Sequence, residues 1–315
     1  MMLAGVVEMG KLVQQRDWNG QVASLKREAS RLGFFGSSAA ARRAIGEALI
    51  AAVENRAGTA GKFGVLLSGG IDSSFIAFIL KKLGLRFTCF CVGVSGSKDL
   101  AAARVAARKL RLELVSKEYP VAAAEAVIRV AVKILGTADP VAIGIAATEI
   151  AALRLVTMNK VGVVFTGLGS EEIFAGYQRH VIADDVNGEC WRGLSAMWAR
   201  DFLRDFRVAA AFRVKALTPF LDKKVIVAAM RARPGWKIRD GEKKLILREI
   251  AAAAGLPEEI AFRPKLAAQY GSGFDRMLGK LARASGFAGK REYLRFVLAS
   301  GKSSVAVSHQ KHKNL

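Results

Sequence analysis

The stretch Ser68-Gly69-Gly70-Ile71-Asp72-Ser73-Ser74 decides the fold of this 315-residue chain. It follows the apolar run Phe63–Leu67, which is typical of a buried strand, and it leads into Ser73–Leu83, whose apolar residues have helical spacing. Two glycines at a strand-to-helix turn permit positive φ angles and let backbone N–H groups converge on an anion. The start of the helix adds its dipole, and the serines add hydroxyl donors. The stretch therefore predicts a phosphate-binding loop between a strand and a helix.

Asp72 separates this loop from the common nucleotide-binding loop, because no Gly-Lys-Ser or Gly-Lys-Thr follows the first glycine at the required spacing. A carboxylate inside a phosphate cradle repels the ligand unless a cation lies between them. Asp72 therefore predicts bound Mg²⁺, which prefers carboxylate and phosphate oxygens. The alternative is a Ser/Gly turn in which Asp72 only caps the helix.

Short apolar runs alternate with helical segments around this loop. The pattern predicts strands at Phe87–Val94, Leu112–Ser116 and Val161–Thr166, and helices at Ser38–Arg56, Leu100–Leu110 and, with an interruption near residues 136–140, Val121–Asn159. Such alternation favours an α/β fold with a parallel sheet and helices on both faces. From Trp191 onward the pattern is helical with no convincing strand, and residues 1–36 show no clear core pattern.

The composition excludes several classes of protein. Lysine and arginine number 49 against 27 acidic residues, and the resulting net charge of +22 suits polyanionic partners such as RNA or phosphate-rich ligands. Cys89, Cys91 and Cys190 are too few and wrongly spaced for a disulfide framework or a four-ligand zinc site. No stretch has the roughly 18 uninterrupted apolar residues of a membrane span, and the start lacks the features of a signal peptide. We expect a cytoplasmic protein with no membrane partner.

The loop resembles the pyrophosphate loop of the N-type ATP pyrophosphatases, which split ATP between its α and β phosphates, adenylate a substrate and release pyrophosphate. Further segments are similar to motifs of the synthetase domain of the asparagine synthetase family, in the family's order: Val92–Ser95 with Lys98–Leu110, Phe165–Tyr177, Thr218–Asp222 and Lys244–Glu249. The resemblance covers roughly residues 40 to 285. It implies an adenine-nucleotide-α-hydrolase-like, Rossmann-like parallel sheet with a mainly helical C-terminal part.

The resemblance also implies the residues of an ATP site. The positions that match nucleotide-binding positions are Leu66, Ser68, Gly69, Gly70, Asp72, Ser73, Ser74, Val94, Gly167 and Gly169. Asp72 and Glu171 are the candidate Mg²⁺ ligands, and Lys244 and Arg248 are the candidate catalytic residues. Because Lys244 and Arg248 are four residues apart, we expect them on one helix face, where paired positive charges suit the departing pyrophosphate. The alternatives are a solvated basic face for these two and a helix-start cap for Glu171 and Glu172.

The acceptor side departs from the family pattern. Leu168 stands where the family has a glutamate beside the acyl-adenylate, and a leucine can neither move a proton nor hold an amine. Leu217 and Lys215 stand where an arginine and a glutamate usually precede the Pro-Phe-Leu-Asp segment, and Asp139–Ile143 lacks the arginine expected near a dicarboxylate. A pocket without those arginines should bind the side chain of aspartate poorly. The segments that resemble instead the eukaryotic asparagine-synthetase-domain-containing proteins are Gly167–Glu172, Ala175–His180 and Arg263–Gly273.

Family members that hydrolyse glutamine carry an N-terminal glutaminase domain that opens with a catalytic cysteine. This sequence has Met2 at that position, and the residues before the loop are too few for such a domain. We therefore expect the ammonia to be free or to come from a separate glutaminase subunit.

We divide the chain into a basic, mainly helical N-terminal extension (1–60), an asparagine-synthetase-like ATP pyrophosphatase domain (61–285) and a basic C-terminal tail (286–315). Three functions are open at this point. One is an ATP-dependent ligase that adenylates aspartate or another carboxylate and forms an amide. Another is an ATP pyrophosphatase that modifies tRNA by adenylating a nucleobase or an attached group, which the net charge favours. The third is a nucleotide-binding scaffold without turnover.

Overall fold

The computed structural model describes residues 7–8, 11–58, 61–264 and 267–311. Met2 lies outside these ranges, and so do Lys265 and Leu266 of the segment Arg263–Gly273.

Five parallel strands form the central sheet: β1 (Gly64–Leu66), β2 (Thr88–Val94), β3 (Leu114–Tyr119), β4 (Val163–Phe165) and β5 (Lys215–Leu217). Their order across the sheet is β3-β2-β1-β4-β5. The chain therefore builds outward from β1 on one side and then crosses to β4 on the other. The carboxyl ends of β1 and β4 form the switch point at which open parallel sheets bind their ligands.

Four of these strands lie where the sequence predicts them, and the expectation of no strand after Trp191 is wrong. β5 adds a parallel edge strand, held by bonds from Lys215 N–H to the Gly162 carbonyl at 2.8 Å and from Thr166 N–H to the Leu217 carbonyl at 2.9 Å. A three-residue strand has no measurable periodicity of its own, so only its pairing with β4 reveals it. Two short antiparallel hairpins pair Val7–Glu8 with Lys11–Leu12 and Ile238–Arg239 with Glu242–Lys243.

Helices make up most of the remaining chain. In chain order α1 to α17, they span Gln15–Leu32, Ser38–Gly58, Ile71–Lys82, Lys98–Lys109, Val121–Leu135, Pro140–Met158, Ser170–Ile173, Gln178–Val181, Val186–Met197, Leu203–Phe212, Lys223–Met230, Pro234–Lys237, Leu245–Ala253, Glu258–Ala261, Ala268–Gly271, Phe274–Ala284 and Lys290–Lys311. A π-helical turn, Trp198–Phe202, joins α9 to α10, and a 3₁₀ turn, Pro219–Leu221, follows β5.

Two apolar layers cover the sheet. The first contains buried side chains of α1 to α4, α9, α11 and α13, and the second contains those of α5, α6, α16 and α17. Helices on both faces are the usual cover of a parallel sheet, whose strands are buried on both sides. Cys89, Cys91 and Cys190 are free and buried, and burial raises the pKa of the Cys89 and Cys91 thiols to about 12.

The expectation that residues 1–36 lack a core pattern is also wrong. α1 buries Trp18, Val22, Leu25 and Ala29, which lie on one stripe of the helix. The Trp18 indole donates to the Leu194 carbonyl at 3.0 Å and so fixes α1 to α9. These four residues are spaced four, three and four positions apart in a segment rich in charge, which is the spacing of a single helix face.

Two helices differ from what the sequence predicts: α6 has the length and composition of a membrane span, and α17 lies in the predicted C-terminal tail. α6 is long and apolar enough to cross a membrane, with a mean hydropathy of 1.7, but 56% of that window is buried within the protein. Its Ile143, Ile150 and Val156 belong to the second apolar layer. α17 lies within residues 286–315, the segment predicted to be a C-terminal tail, yet its Tyr293 and Leu294 are buried in the same layer.

Candidate active site

The predicted phosphate-binding loop joins β1 to α3. Gly69 has φ of +70°, and a Cβ atom added there would lie 2.5 Å from the carbonyl carbon of Ala102 in α4. Glycine is therefore required both for the backbone conformation and for space. Gly70 is the N-cap of α3, and its carbonyl accepts the Ser74 N–H at 3.1 Å. The amides before Ser74 in the first turn have no acceptor within the helix itself, which is how helix starts bind anions.

The serines of this loop have different roles. Ser73 Oγ accepts the Ser68 N–H at 3.2 Å, and Ser68 Oγ accepts the Gly70 N–H at 3.4 Å, so these two serines close the loop on itself. The Ser74 hydroxyl is buried and has no hydrogen-bond partner within the part of the chain that the structure describes.

The remaining predicted ATP-site positions lie at the carboxyl ends of β1, β2 and β4: Leu66, Val94, Gly167 and Gly169. A Cβ added at Gly167 would lie 2.7 Å from the Cβ of Asp72. Gly169 has φ of +95°, and an added Cβ would overlap the Leu221 side chain. Gly167 therefore lets the segment after β4 pack closely against the loop after β1, and Gly169 lets the same segment pack against the turn after β5.

Lys244 joins the two loops. Its side chain is 3% exposed, and its Nζ lies 2.7 Å from Asp72 Oδ1, 2.8 Å from Glu171 Oε1 and 2.9 Å from Ser170 Oγ. Lys244 itself has φ of +58° and is the N-cap of α13 rather than a residue within it. The site therefore gathers two carboxylates around one ammonium group at the switch point of the sheet.

Gly176 makes room for this arrangement. A Cβ added there would overlap the Glu171 carboxylate and would lie 2.5 Å from Cε of Lys244. No side chain larger than hydrogen fits between these two groups unless one of them moves.

The residues present suit a magnesium ion. Asp72 and Glu171 approach a single cationic nitrogen at hydrogen-bond distance, so their oxygens converge on a point where positive charge is favoured. Carboxylate oxygens are the ligands that Mg²⁺ prefers, and it usually keeps waters and phosphate oxygens as well. Among the described residues no group of three or more His, Cys, Asp or Glu side chains could hold a metal by itself.

Arg248 does not share a helix face with Lys244 in the way its spacing suggests, because Lys244 precedes the helix. The Arg248 side chain donates from Nε to the Lys243 carbonyl at 2.9 Å and from Nη1 to the Ala261 carbonyl at 2.6 Å. Burial lowers the pKa of Arg248, and the nearby Glu242 acts in the opposite direction.

Comparisons with known proteins identify the family of this chain. The family model described as asparagine synthase matches residues 44–185 and 181–293, which is most of the chain. This chain belongs to the asparagine synthase family. A protein of Methanocaldococcus jannaschii assigned as glutamine-hydrolyzing asparagine synthetase 1 is 30% identical over 273 residues, covering 73% of this chain and 49% of that protein. Asparagine synthetase B of Escherichia coli K12 is 33% identical over 222 residues, covering 64% of this chain and 40% of that protein.

This asparagine synthase-family chain thus spans about half the length of the curated relatives that it matches. Among solved structures, NMN synthetase from Francisella tularensis covers 84% of this chain at 14% identity, with a TM-score of 0.40.

Leu168 and Leu217 stand at positions where the resemblance to the family implies charged residues. Leu168 packs against the first apolar layer, and Leu217 on β5 is 6% exposed. Both leucines therefore contribute to the core of the protein.

Glu172 and His180 lie next to the site but are occupied by other contacts. Glu172 is buried and pairs with Arg200 at 2.5 Å, and burial raises the pKa of Glu172. His180 Nδ1 accepts the Tyr177 N–H at 3.0 Å, and burial lowers the pKa of His180 to about 4, so it is uncharged at neutral pH. Glu172 is thus an ion-pair partner rather than a helix cap.

Sequence reasoning assigned no role to three residues that the structure brings to the site: Ser170, Gly176 and Arg263. Ser170 and Gly176 lie within the quoted segment Phe165–Tyr177, where a serine after two glycines and a glycine after an alanine carried no separate signal. The Arg263 guanidinium lies 3.3 Å from the carbonyl of Ser68, although the two residues are 195 positions apart.

Proposed function

We propose that this chain is an ATP-dependent ligase of the asparagine synthase type. It transfers the AMP part of ATP to a carboxylate, releases pyrophosphate and forms a carbon–nitrogen bond with ammonia or a separately supplied amine. The observation that carries the proposal is the contact of Lys244 Nζ with both Asp72 and Glu171 beside a phosphate-binding loop. Membership of the asparagine synthase family supports it.

The placement of the candidate residues supports an ATP site. The loop from Ser68 to Ser74 and the start of α3 bind the phosphates that leave as pyrophosphate, because backbone amides and the helix dipole attract anions. Leu66 and Val94, at the ends of β1 and β2, flank the nucleoside, and Gly167 and Gly169 close the site from β4.

Asp72 and Glu171 are the residues that would hold Mg²⁺, which would neutralise charge on the phosphates. The Lys244 ammonium supplies fixed positive charge that favours the negative charge developing on the departing pyrophosphate. Its burial strengthens this effect, since Coulomb interactions are stronger away from water.

The acceptor is a small carboxylate, either aspartate or another acid, and the nitrogen comes from free ammonia or from a separate glutaminase subunit. The names of the curated relatives support an asparagine-forming reaction. They give no support to the tRNA-modifying alternative, which depends on the net charge of +22 alone. A cytoplasmic location stays a prediction, and so does the division of the chain at residues 60 and 285.

The test is release of AMP and pyrophosphate from Mg·ATP by the full chain, with aspartate and ammonia in one reaction and bulk tRNA in another. We expect AMP and pyrophosphate in equal amounts only when aspartate or a related acid is present. The variant Asp72→Asn should abolish this release, because it removes a negative charge that contacts Lys244 and that would bind Mg²⁺.

Asp275→Asn is the matched control, since Asp275 pairs with Lys290 at 2.7 Å on the helices α16 and α17. It should retain full activity. Formation of ADP and phosphate, stimulation by tRNA alone, or normal turnover by Asp72→Asn would each contradict the proposed function.

A further inference from the structure

The Arg248 side chain donates hydrogen bonds to two separate segments of the backbone. It is 7% exposed, and it donates to the carbonyls of Lys243, Ala261 and Arg263 at 2.9, 2.6 and 3.2 Å. The first acceptor immediately precedes Lys244, and the other two belong to the segment that ends at Arg263. The planar guanidinium fork can bridge these segments, whereas a lysine amine cannot reproduce its geometry.

Arg263 then reaches from the second segment to the phosphate-binding loop. The Arg263 side chain is 21% exposed. Its Nη1 donates to the Ser68 carbonyl at 3.3 Å, and its Nη2 donates to the Lys98 carbonyl at 3.4 Å. The same guanidinium pairs with Asp99 at 3.6 Å. Ser68 opens the loop, and Lys98 and Asp99 open α4. Arg263 also lines a cavity of about 190 Å³ next to Gly69.

The contact with Ser68 has a consequence for the next peptide group. In a trans peptide the carbonyl oxygen and the following N–H point in opposite directions. A guanidinium on the Ser68 carbonyl therefore directs the Gly69 N–H toward the side of the loop away from Arg263. The opposite end of the loop is fixed by Lys244, which binds Asp72 at 2.7 Å.

We propose that Arg248 and Arg263 are positioning residues that form a brace for the phosphate-binding loop. Arg248 fixes the segments that carry Lys244 and Arg263, and these two cations hold the two ends of the loop so that its amides face the phosphates. The brace acts through backbone carbonyls and not through contact of Arg248 with pyrophosphate. Its link to ATP rests on the proposed function, while the ordering of the loop does not.

The test uses the full chain with Arg248→Lys, Arg263→Lys and the double variant. Hydrogen exchange of the ligand-free protein reports on the loop amides of Ser68, Gly70 and Ser74, which are hydrogen-bonded. We expect each single variant to raise their exchange rates about tenfold and to raise KM for ATP about tenfold with little change in kcat. The double variant should be no worse than the more severe single variant, because both act through one brace.

Arg231→Lys is the matched control. Arg231 also donates to backbone carbonyls, those of Gly33 and Leu32 at 2.8 and 3.4 Å, far from the loop in sequence. It should leave loop exchange and KM unchanged.

Unchanged loop exchange in Arg263→Lys, wild-type behaviour of Arg248→Lys, or additive effects in the double variant would each overturn the brace. Faster loop exchange in a chain whose wild type does not cleave ATP would support the brace while contradicting the proposed function.

Discussion

Lys244 enters the site in a conformation that few lysines adopt. A non-glycine residue in the left-handed region costs about 1 kcal/mol or more, and Lys244 lies there with φ of +58°. Three contacts, with Asp72, Glu171 and Ser170, offset this cost. The conformation also ends the hairpin strand Glu242–Lys243 and begins α13, so the backbone turns sharply just where the ammonium must enter the site.

Lys237 is buried away from the site and lacks a comparable partner. It is 0% exposed, and the hydrogen-bond acceptor within reach of its Nζ, among the described residues, is Met230 Sδ at 3.7 Å. Burial lowers the pKa of Lys237 from its ordinary value of 10.5, and the charge that Cys190 carries as a thiolate acts in the opposite direction. We expect Lys237→Met to stabilise the protein at pH 7 by about 1–3 kcal/mol, measured by urea unfolding.

The difference in stability between Lys237→Met and the wild type depends on pH. The unfolded chain holds the Lys237 proton up to about pH 10.5, while the folded chain releases it at lower pH. The wild type therefore gains stability as the pH rises between these two values, and Lys237→Met does not. The advantage of the variant should shrink toward pH 10. Lys133→Met, on an exposed position of α5, should change stability by no more than about 0.5 kcal/mol. If Lys237→Met were less stable than the wild type, or if its advantage in unfolding free energy grew with pH, the buried amine would be shown to stabilise the fold.

At the scale of elements, the sequence predicts those parts of the fold whose signal is local. The run from Phe63 to Leu83 contains an apolar strand, two glycines and an apolar helix in immediate succession, so β1, the loop and α3 are visible together. Asp72 and Glu171 are also visible in the sequence as candidate ligands, and the structure brings both to one ammonium group.

Other parts depend on partners distant in sequence. β5 exists through its pairing with β4, and α1 is defined by the docking of Trp18 on Leu194 and its T-shaped contact with Phe202 at 4.9 Å. The acceptors of Arg248 are carbonyls, which every residue possesses, so no residue type in the sequence marks them. The sequence therefore indicates the charge of Arg248 but not its target.

The close contact of Gly176 with Glu171 and Lys244 offers a test of the site's geometry. We expect Gly176→Ala to lower kcat for pyrophosphate release at least 100-fold, because the new methyl group displaces the Glu171 carboxylate and the Lys244 stem. The measurement is single-turnover AMP formation alongside thermal unfolding.

Gly162→Ala is the control for this substitution, since an added Cβ at Gly162 meets nothing within 4 Å. It should leave kcat unchanged. Near-normal AMP formation by Gly176→Ala would mean that the contact between Glu171 and Lys244 is not needed for the reaction.

At the scale of the whole molecule, the two ends of the sheet differ in how their charges are paired. The carboxyl end carries Asp72 and Glu171 around Lys244. The amino end has a cavity of about 340 Å³ whose lining includes four cationic side chains and one carboxylate: Lys62, Lys81, Arg86, Arg111 and Glu113. None of these four cations makes an ion pair within the described residues, although Lys62 and Lys81 donate to backbone carbonyls.

This unpaired charge should destabilise the fold at low salt through self-repulsion. We expect 0.5 M NaCl to raise the Tm of the wild type above its value in 0.05 M NaCl, because salt screens exposed charges. Arg86→Glu with Arg111→Glu removes four units of charge, from +22 to +18, and should raise Tm at low salt by about 2 °C. The double variant should also respond less to salt, while the glutamine pair at the same positions should fall between it and the wild type. A wild-type Tm that is flat or falls with salt, or a charge-reversed variant that is less stable at low salt, would show that these cations are favourable to the fold.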